Sequence, residues 1–136
     1  MKLLVDTNII ISALISDSIT RKIIFKEFFE LISPDFLIEE VYKYKLEICK
    51  KSSINEQEFD MVVKNILKYI NIIPSNKYED AIKDVDDLIN DPKDVVFLAC
   101  AVAYNVDGIW TEDKEFKKQN KIKVYTTKDV VEIIIK

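Results

Sequence analysis

The sequence predicts an α/β fold, a three-layer α/β/α sandwich around a central, mainly parallel sheet of four to five strands. Short apolar runs without polar alternation, typical of strands buried on both faces, alternate with helical patterns along the chain. The 136 residues are enough for one domain with a continuous core. No Pro-, Gly- or Ser-rich linker divides them, so we expect a single domain over residues 1–136.

In the first half of the chain, apolar spacing predicts two strands and four helices. Ser33 followed by Pro34 is a helix-start signal, with the proline at the first helical position. The predicted elements are a strand over 2–5, helices over 9–15 and 19–30, a strand over 31–32, and helices over 34–51 and 55–69.

In the second half, the clearest helix start has Asp91 as N-cap, Pro92 at the first helical position and Asp94 at the third. The helix that follows, over 95–104, is almost entirely apolar, which is typical of a buried central helix. The pattern over 129–135 is too weak to assign. The other predicted elements are strands over 72–73, 108–111 and 123–126, an acidic helix over 78–89 and a short helical segment over 113–119.

The composition excludes several kinds of chemistry. The chain has no histidine, so a Ser-His-Asp or Cys-His mechanism and a His-ligated zinc are ruled out. Its one glycine excludes a glycine-rich phosphate loop. Cys49 and Cys100 are far apart in the sequence and form no C-x-x-C pair, so we expect each to be a small buried residue.

Charge and hydropathy restrict where the protein is expected to be located and what it is expected to bind. No apolar run approaches the roughly 18–20 residues of a membrane span, so we expect a cytoplasmic protein with no membrane partner. The net charge of −4 argues against a protein that coats nucleic acid through bulk charge. It does not argue against enzymes that hold divalent cations, because these need clustered carboxylates.

Three acidic residues are predicted to meet at one edge of the sheet. Asp6 ends the first strand, and Asp113 lies two residues past the strand that contains Trp110 and Thr111. Asp94 lies in the first turn of the central helix. In parallel α/β sheets, ligands bind beyond the carboxyl ends of the strands, so these carboxylates are candidates for a shared site.

The helix predicted to begin at Pro34 offers two further acids, Glu39 and Glu40. At about 100° per residue, Glu40 lies on the margin of the apolar stripe and Glu39 nearly opposite it. We therefore expect Glu40 to point inward. Each of the four acids also has a structural alternative: Asp6, Asp94 and Asp113 as helix-start residues, and Glu40 as a solvated helix residue.

Four partly buried carboxylates repel one another by about 4 kcal/mol per close pair at an effective dielectric of about 20. Protonation or lysine pairing would relieve this repulsion, but Mg²⁺ and Mn²⁺ prefer oxygen ligands. A bound metal also lowers the pKa of water and stabilises charge on a phosphoryl oxygen, which compensates for the missing histidine.

At this point the sequence resembles PIN-domain ribonucleases over nearly its whole length. The segments that carry the resemblance are VDTN at 5–8, SPDFLIEEV at 33–41, DPKD at 91–94 leading into FLACA at 97–101, and IWTED at 109–113 followed by KEF at 114–116. The resemblance implies an α/β/α sandwich with a Mg²⁺ or Mn²⁺ site. It also implies single-stranded RNA as substrate, cleaved by metal-assisted hydrolysis of a phosphodiester.

Transferred onto this sequence, the family's four acids are Asp6, Glu40, Asp94 and Asp113, and Asn8, Thr111 and Asp91 are supporting polar residues. Many relatives are toxins of toxin–antitoxin pairs, others act in RNA processing or decay, and dimers are common. The resemblance thus makes an antitoxin protein and a second copy of the chain candidate partners.

The lysines that follow Asp113 are candidates for guiding the RNA backbone, with Phe116 or Trp110 available for base stacking. A solvated face is the alternative for these lysines, and the core is the alternative for Trp110. The lysines are Lys114, Lys117, Lys118, Lys121 and Lys123.

Three other functions compete with a ribonuclease. An aspartyl-nucleophile phosphatase needs a second acid two residues after Asp6, where this chain has Asn8, and a receiver module needs an acidic pair at the first strand. A non-catalytic RNA-binding or protein-interaction module of the same fold is the stronger alternative. The four acids argue against it, because a scaffold gains nothing from a repulsive cluster.

Overall fold

The computed structural model describes residues 1–16 and 19–136, and its centre is a parallel sheet of five strands. The strands are β1 (Lys2–Val5), β2 (Glu30–Pro34), β3 (Asn71–Ile73), β4 (Gly108–Trp110) and β5 (Val124–Tyr125). Their order in the sheet is β3-β2-β1-β4-β5, and every neighbouring pair runs parallel. This confirms the predicted fold class.

The direction of winding reverses between β1 and β4. From the central β1 the chain moves outward through β2 to β3, then crosses back to β4 on the other side of β1. Leu3 pairs with Gly108 and Val5 with Trp110, so β1 and β4 end side by side. This reversal is the topological switch point, where parallel α/β sheets bind their ligands.

The helices form a layer on each face of the sheet, because right-handed crossovers that run in opposite directions lie on opposite faces. The helices are α1 (Thr7–Ile15), α2 (Ile19–Phe25), α3 (Phe36–Lys43), α4 (Lys45–Ser52), α5 (Glu56–Leu67), α6 (Ile82–Val85), α7 (Pro92–Ala103) and α8 (Thr127–Ile135). Helix α1 contacts α2, α3, α4 and α5, whereas α7 packs on β1 and β2 and contacts α6.

The core lies between the sheet and these two layers, and it includes several large aromatic side chains. Trp110 and Phe116 are fully buried, and the indole N–H of Trp110 donates to Thr127 Oγ1 at 3.0 Å. Cys100 is buried as predicted, whereas Cys49 is only half-buried. No helix in the described ranges, 1–16 and 19–136, is long and apolar enough to cross a membrane.

The prediction that Pro34 starts a helix is wrong, because Pro34 is the last residue of β2. The pairing of β2 with β1 ends at Ile32, while its pairing with β3 continues to Pro34 opposite Ile73. The Asp35 amide donates to the Ile73 carbonyl at 2.9 Å. The missing N–H of Pro34 therefore faces β1, and the Val5 carbonyl opposite it accepts a hydrogen bond from the Ser33 hydroxyl at 2.9 Å instead.

Two predicted helices are interrupted. The helix predicted over 34–51 is two helices, α3 and α4, separated at Tyr44. The helix predicted over 78–89 is instead a 3₁₀ turn, Glu79–Ala81, followed by the short helix α6, and another 3₁₀ turn, Ser75–Lys77, precedes it. A bend or a 3₁₀ turn leaves the apolar side chains on the same side of the chain, so apolar spacing alone does not reveal it.

The start of α7 agrees with the prediction. Asp91 is its N-cap and accepts a hydrogen bond from the Lys93 amide at 2.9 Å, and Pro92 is the first helical residue. Residues 129–135, which the sequence left unassigned, belong to α8. There Thr126 and Asp129 form a capping box, in which each side chain accepts a hydrogen bond from the other's amide.

Candidate metal centre

An acidic cavity of about 290 Å³ opens beyond the carboxyl ends of β1 and β4. Four separate parts of the chain contribute its acids: the end of β1, helix α3, the start of α7 and the turn after β4. The lining residues are Asp6, Thr7, Asn8, Ile11, Glu40, Tyr44, Asp91, Lys93, Asp94 and Asp113. The structure therefore brings Asp6, Glu40, Asp94 and Asp113 together at the switch point.

Asp6 joins the end of β1 to the start of α1. Its amide continues the β1–β4 ladder by donating to the Trp110 carbonyl at 3.1 Å. Its Oδ1 caps α1 by accepting from the Thr7 amide at 2.8 Å, and its Oδ2 accepts from the Thr111 hydroxyl at 2.7 Å. The side chain is thus both a helix cap and a fixed wall of the cavity, since only 5% of the residue is exposed.

Asp94 reaches the cavity from the first turn of α7. The residue is 7% exposed, and its Oδ2 has no hydrogen-bond partner within the described chain. A buried carboxylate oxygen without a donor is costly, because burial removes its hydration. Asp94 is therefore the acid whose surroundings most need a cation or a proton.

Asp113 and Thr111 follow β4 and are linked to Asp6 through one hydroxyl. Thr111 Oγ1 donates to Asp6 and accepts from the Asp113 amide at 2.9 Å. Asp113 Oδ1 in turn accepts from the Glu115 amide at 2.9 Å and begins the 3₁₀ turn Lys114–Lys118. These bonds fix the direction of the chain as it leaves the sheet.

Glu40 lies on α3 between the buried residues Leu37 and Val41. Its side chain is 12% exposed and lines the cavity, whereas Glu39 lies on the exposed side of the helix. The Nζ atom of Lys93 is 4.0 Å from Glu40 Oε2, at the outer limit of an ion pair.

Burial, with a smaller contribution from the neighbouring carboxylates, raises the pKa of two of the acids. Burial raises the pKa of Asp6 to about 6, against the lowering effect of the hydrogen bonds from Thr111 and Thr7. Burial and the neighbouring Asp113 carboxylate raise the pKa of Asp94 to about 7. Near neutral pH, both Asp6 and Asp94 are therefore poised to exchange a proton for a cation.

The donor set suits a hard divalent cation. Besides the carboxylates, the cavity wall contains the buried Oδ1 of Asn8 and Oγ1 of Thr7, which have no hydrogen-bond partner in the described chain. In residues 1–16 and 19–136, no three acidic or cysteine side chains converge as a ready-made set of direct ligands. This pattern fits Mg²⁺, which commonly takes one or two carboxylates and keeps several waters.

Other predicted contacts lie away from the cavity. Lys114, Lys117 and Lys118 are exposed and do not line it, and Lys118 forms an ion pair with Glu115 at 2.8 Å. The suggestion that Phe116 or Trp110 stacks on a base is wrong, because both rings are fully buried.

Four of the lining residues, Thr7, Ile11, Tyr44 and Lys93, were not predicted from the sequence as site residues. The position of Lys93 inside the DPKD motif was an available signal. Tyr44 gave none, because it lies within the apolar stripe of the predicted helix.

The fold and the cavity together define a class of parallel α/β protein with an acidic, cation-suited cleft at the switch point of its sheet. A family model described as the PIN domain matches residues 4–132. The chain therefore belongs to the PIN-domain family, as its sequence motifs predicted.

Solved structures with the same fold cover nearly the whole chain. VapBC2 from Rickettsia felis bound to a DNA fragment from their promoter is 18% identical with a TM-score of 0.65, and the match covers 93% of this chain and 98% of that chain. A toxin-antitoxin complex from Klebsiella pneumoniae is 20% identical with a TM-score of 0.64, and the match covers 91% of this chain and 96% of that chain. PAE2754 from Pyrobaculum aerophilum is 14% identical with a TM-score of 0.73, and the match covers 100% of this chain and 91% of that chain. At these identities the likeness concerns the fold, and no curated protein matches the chain.

Proposed function

We propose that this PIN-domain protein is an endoribonuclease that hydrolyses phosphodiester bonds of single-stranded RNA with Mg²⁺ or Mn²⁺. The observation that carries the proposal is the cavity in which Asp6, Glu40, Asp94 and Asp113 meet at the switch point of the sheet. A structural protein gains nothing from holding these charges together, and relief of their repulsion is what a cation provides.

In this proposal Asp6, Glu40, Asp94 and Asp113 would hold the cation, one or two of them directly and the others through its waters, with Asn8 as a further oxygen donor. The cation would supply Lewis acidity and a lowered pKa for water at the scissile phosphate. The residues themselves orient the site. Thr111 holds Asp6 in place, and the Oδ2 of Asp94, which has no hydrogen-bond partner in the described chain, is available to the cation. Asp91 supports the site indirectly, because it caps the helix that carries Asp94.

The test is cleavage of labelled single-stranded RNAs of varied sequence, with Mn²⁺ or with a chelator. Asp6→Asn and Asp94→Asn should each lower the rate by at least about 100-fold, the upper range for outer-shell changes at metal sites. Both changes keep the shape of the side chain, so the fold should persist by circular dichroism. Activity that survives the chelator and both changes would reject the nuclease.

The α3 helix offers a matched control for the same assay. Glu40→Gln should reduce cleavage and weaken Mn²⁺ binding measured by calorimetry, because Glu40 lines the cavity. Glu39→Gln removes the same charge from the exposed neighbouring position and should leave both unchanged. Equal effects of the two changes would exclude a specific role for Glu40. A wild-type chain that binds no Mn²⁺ at millimolar concentration would favour the non-catalytic module.

Toxin-antitoxin structures among those that share the fold support a further part of the proposal, that the chain is the toxin of such a pair in the cytoplasm. The partner would then be a small antitoxin protein encoded beside it. Expression of the chain alone should arrest growth, and co-expression of the neighbouring reading frame should restore it. Normal growth in the absence of that frame would reject the toxin role. A homodimer, also proposed, is tested by light scattering of the purified chain.

A further inference from the structure

Two lysines meet beside the acidic cavity. Lys43 is the last residue of α3, and Lys93 lies in the first turn of α7, so the contact joins segments that are distant in the sequence. Each of the two lysines affects the charge of the other, so their side chains lie close together. Two amino groups that normally carry positive charge are thus held together at the edge of the candidate site.

Carboxylates only partly balance this pair. Lys93 is the basic residue among the described residues that line the cavity, and its closest acid, Glu40, is 4.0 Å away. Lys43 takes part in none of the ion pairs within 4.0 Å found in the described ranges. The Lys93 side chain is 44% exposed, so a ligand can reach it from solvent. An anion bound between the two groups would relieve their mutual repulsion.

Tyr44 directs this pair toward the cavity. The Nζ atom of Lys43 is 5.8 Å from the centre of the Tyr44 ring, within the range of a cation–π contact. Tyr44 itself lines the acidic cavity and also the adjoining apolar groove that contains Ile11 and Ile48. The ring thus keeps the Lys43 amino group next to the place where a substrate would enter.

The lysines after Asp113 have a different setting. Lys118 is paired with Glu115 at 2.8 Å, and Lys117 and Lys121 line a separate depression near the start of β5. These lysines lie outside the cavity wall. Lys117 and Lys121 therefore provide a matched control, since the two pairs carry the same charge but only one borders the site.

We propose that Lys43 and Lys93 form a phosphate-binding pair that holds a backbone phosphate of the RNA strand at the edge of the acidic cavity. This inference rests on the proposed nuclease function of that cavity. A polyanion is repelled by the five acids of the wall, Asp6, Glu40, Asp91, Asp94 and Asp113, so a basic edge is where its backbone can approach. Because phosphate contacts position a strand without reading its bases, Lys43 and Lys93 act as positioning residues for every RNA sequence alike.

The test measures binding of a short fluorescein-labelled single-stranded RNA by anisotropy at several KCl concentrations. Asp94→Asn protein in Mg²⁺ is used, so that the RNA stays intact. The double change Lys43→Gln with Lys93→Gln should weaken binding and reduce the slope of log K against log[salt] by about 0.7 for each phosphate group that is no longer neutralised. The double change Lys117→Gln with Lys121→Gln should leave the slope as it was.

Cleavage kinetics, measured in protein that retains all four acids, distinguish a role in positioning the RNA from a role in the chemical step. Loss of Lys43 and Lys93 should raise KM more than it lowers kcat, by the same factor for RNAs of different sequence. Equal losses for the two lysine pairs would overturn the inference in favour of bulk charge, and so would an unchanged slope. RNA binding that depends on Lys43 and Lys93 in a chain without metal-dependent cleavage would reject the nuclease but keep the phosphate site. No RNA binding by any variant would overturn both.

Discussion

Thr111 shows how a single side chain can organise two acids of the site. Its hydroxyl donates to Asp6 Oδ2 at 2.7 Å and accepts from the Asp113 amide at 2.9 Å, and the residue is 1% exposed. Both partners therefore depend on one buried oxygen atom. The role of Thr111 follows from this position: it fixes where Asp6 points and where the chain to Asp113 begins.

Replacing this hydroxyl should disturb both acids at once. Thr111→Val keeps the shape of the side chain but leaves a buried carboxylate oxygen and a backbone amide unpaired, so the free energy of unfolding should fall by about 1–3 kcal/mol. The pKa of Asp6 should rise further, because the hydrogen bond from Thr111 lowers it. Urea denaturation and Mn²⁺ calorimetry measure these effects. Thr111→Ser retains the hydroxyl and should lie close to wild type; identical results for Val and Ser would contradict this role.

The residues of the cavity differ in how far the sequence could predict them. Asp6 and Asp113 follow strands, so the rule that parallel strands end at a common edge is enough to bring them together. The inward position of Glu40 could be predicted from the angular spacing of residues around a helix. The contact between Lys43 and Lys93 depends on where the end of α3 meets the start of α7, which is a property of tertiary packing and has no signal in local spacing.

At the scale of elements, the helix periodicity identified buried faces better than it identified boundaries. Leu37, Val41 and Ile48 are buried as one stripe although the helix breaks at Tyr44. The local sequence of Pro34 is typical of a helix start, yet the proline is accommodated in β2 because the Ser33 hydroxyl donates to the Val5 carbonyl of β1 in place of a backbone N–H. Boundaries of this kind are decided by pairing between strands that are remote in sequence.

The pairing of β4 with β5 depends on the one glycine of the chain. Gly108 lies under the ring of Tyr125, and a Cβ atom at position 108 would overlap the Cδ2 and Cε2 atoms of that ring. Gly108→Ala should therefore lower the free energy of unfolding by about 1–3 kcal/mol, the usual range for an overpacked site. Thermal or urea unfolding measures the loss.

A double-mutant cycle identifies the cause of that loss. In a Tyr125→Ala background the ring is absent, so Gly108→Ala should cost much less than in the wild type. If the cost is the same in both backgrounds, the overlap with Tyr125 is not what selects glycine, and the Lys123 carbonyl, 3.3 Å from the same Cβ position, would be responsible instead.

For the molecule as a whole, the net charge of −4 is unevenly placed, because the switch point gathers five acids around one cavity. Among these, Asp6 and Asp94 have pKa values of about 6 and about 7, against an ordinary value of 3.8. Between the ordinary and the raised values, the folded chain binds more protons than the unfolded chain. Stability must then decrease as the pH rises, since each pKa unit of separation is worth about 1.4 kcal/mol.

The metal-free protein should accordingly be less stable at pH 8 than at pH 5, because the contribution of Asp6 and Asp94 is complete below pH 3.8 and is lost as the pH passes about 6 and about 7. The chain has no histidine to mask this trend. Urea unfolding in chelator across this range measures it, and Asp94→Asn should flatten the curve while Glu39→Gln leaves it unchanged. Excess Mn²⁺ should restore stability at pH 8, because a ligand that binds only the folded state raises the free energy of unfolding of the protein. If the free energy of unfolding of the wild type stays constant or rises from pH 5 to pH 8, the ionised carboxylates of the cavity do not destabilise the folded protein, and the prediction is wrong.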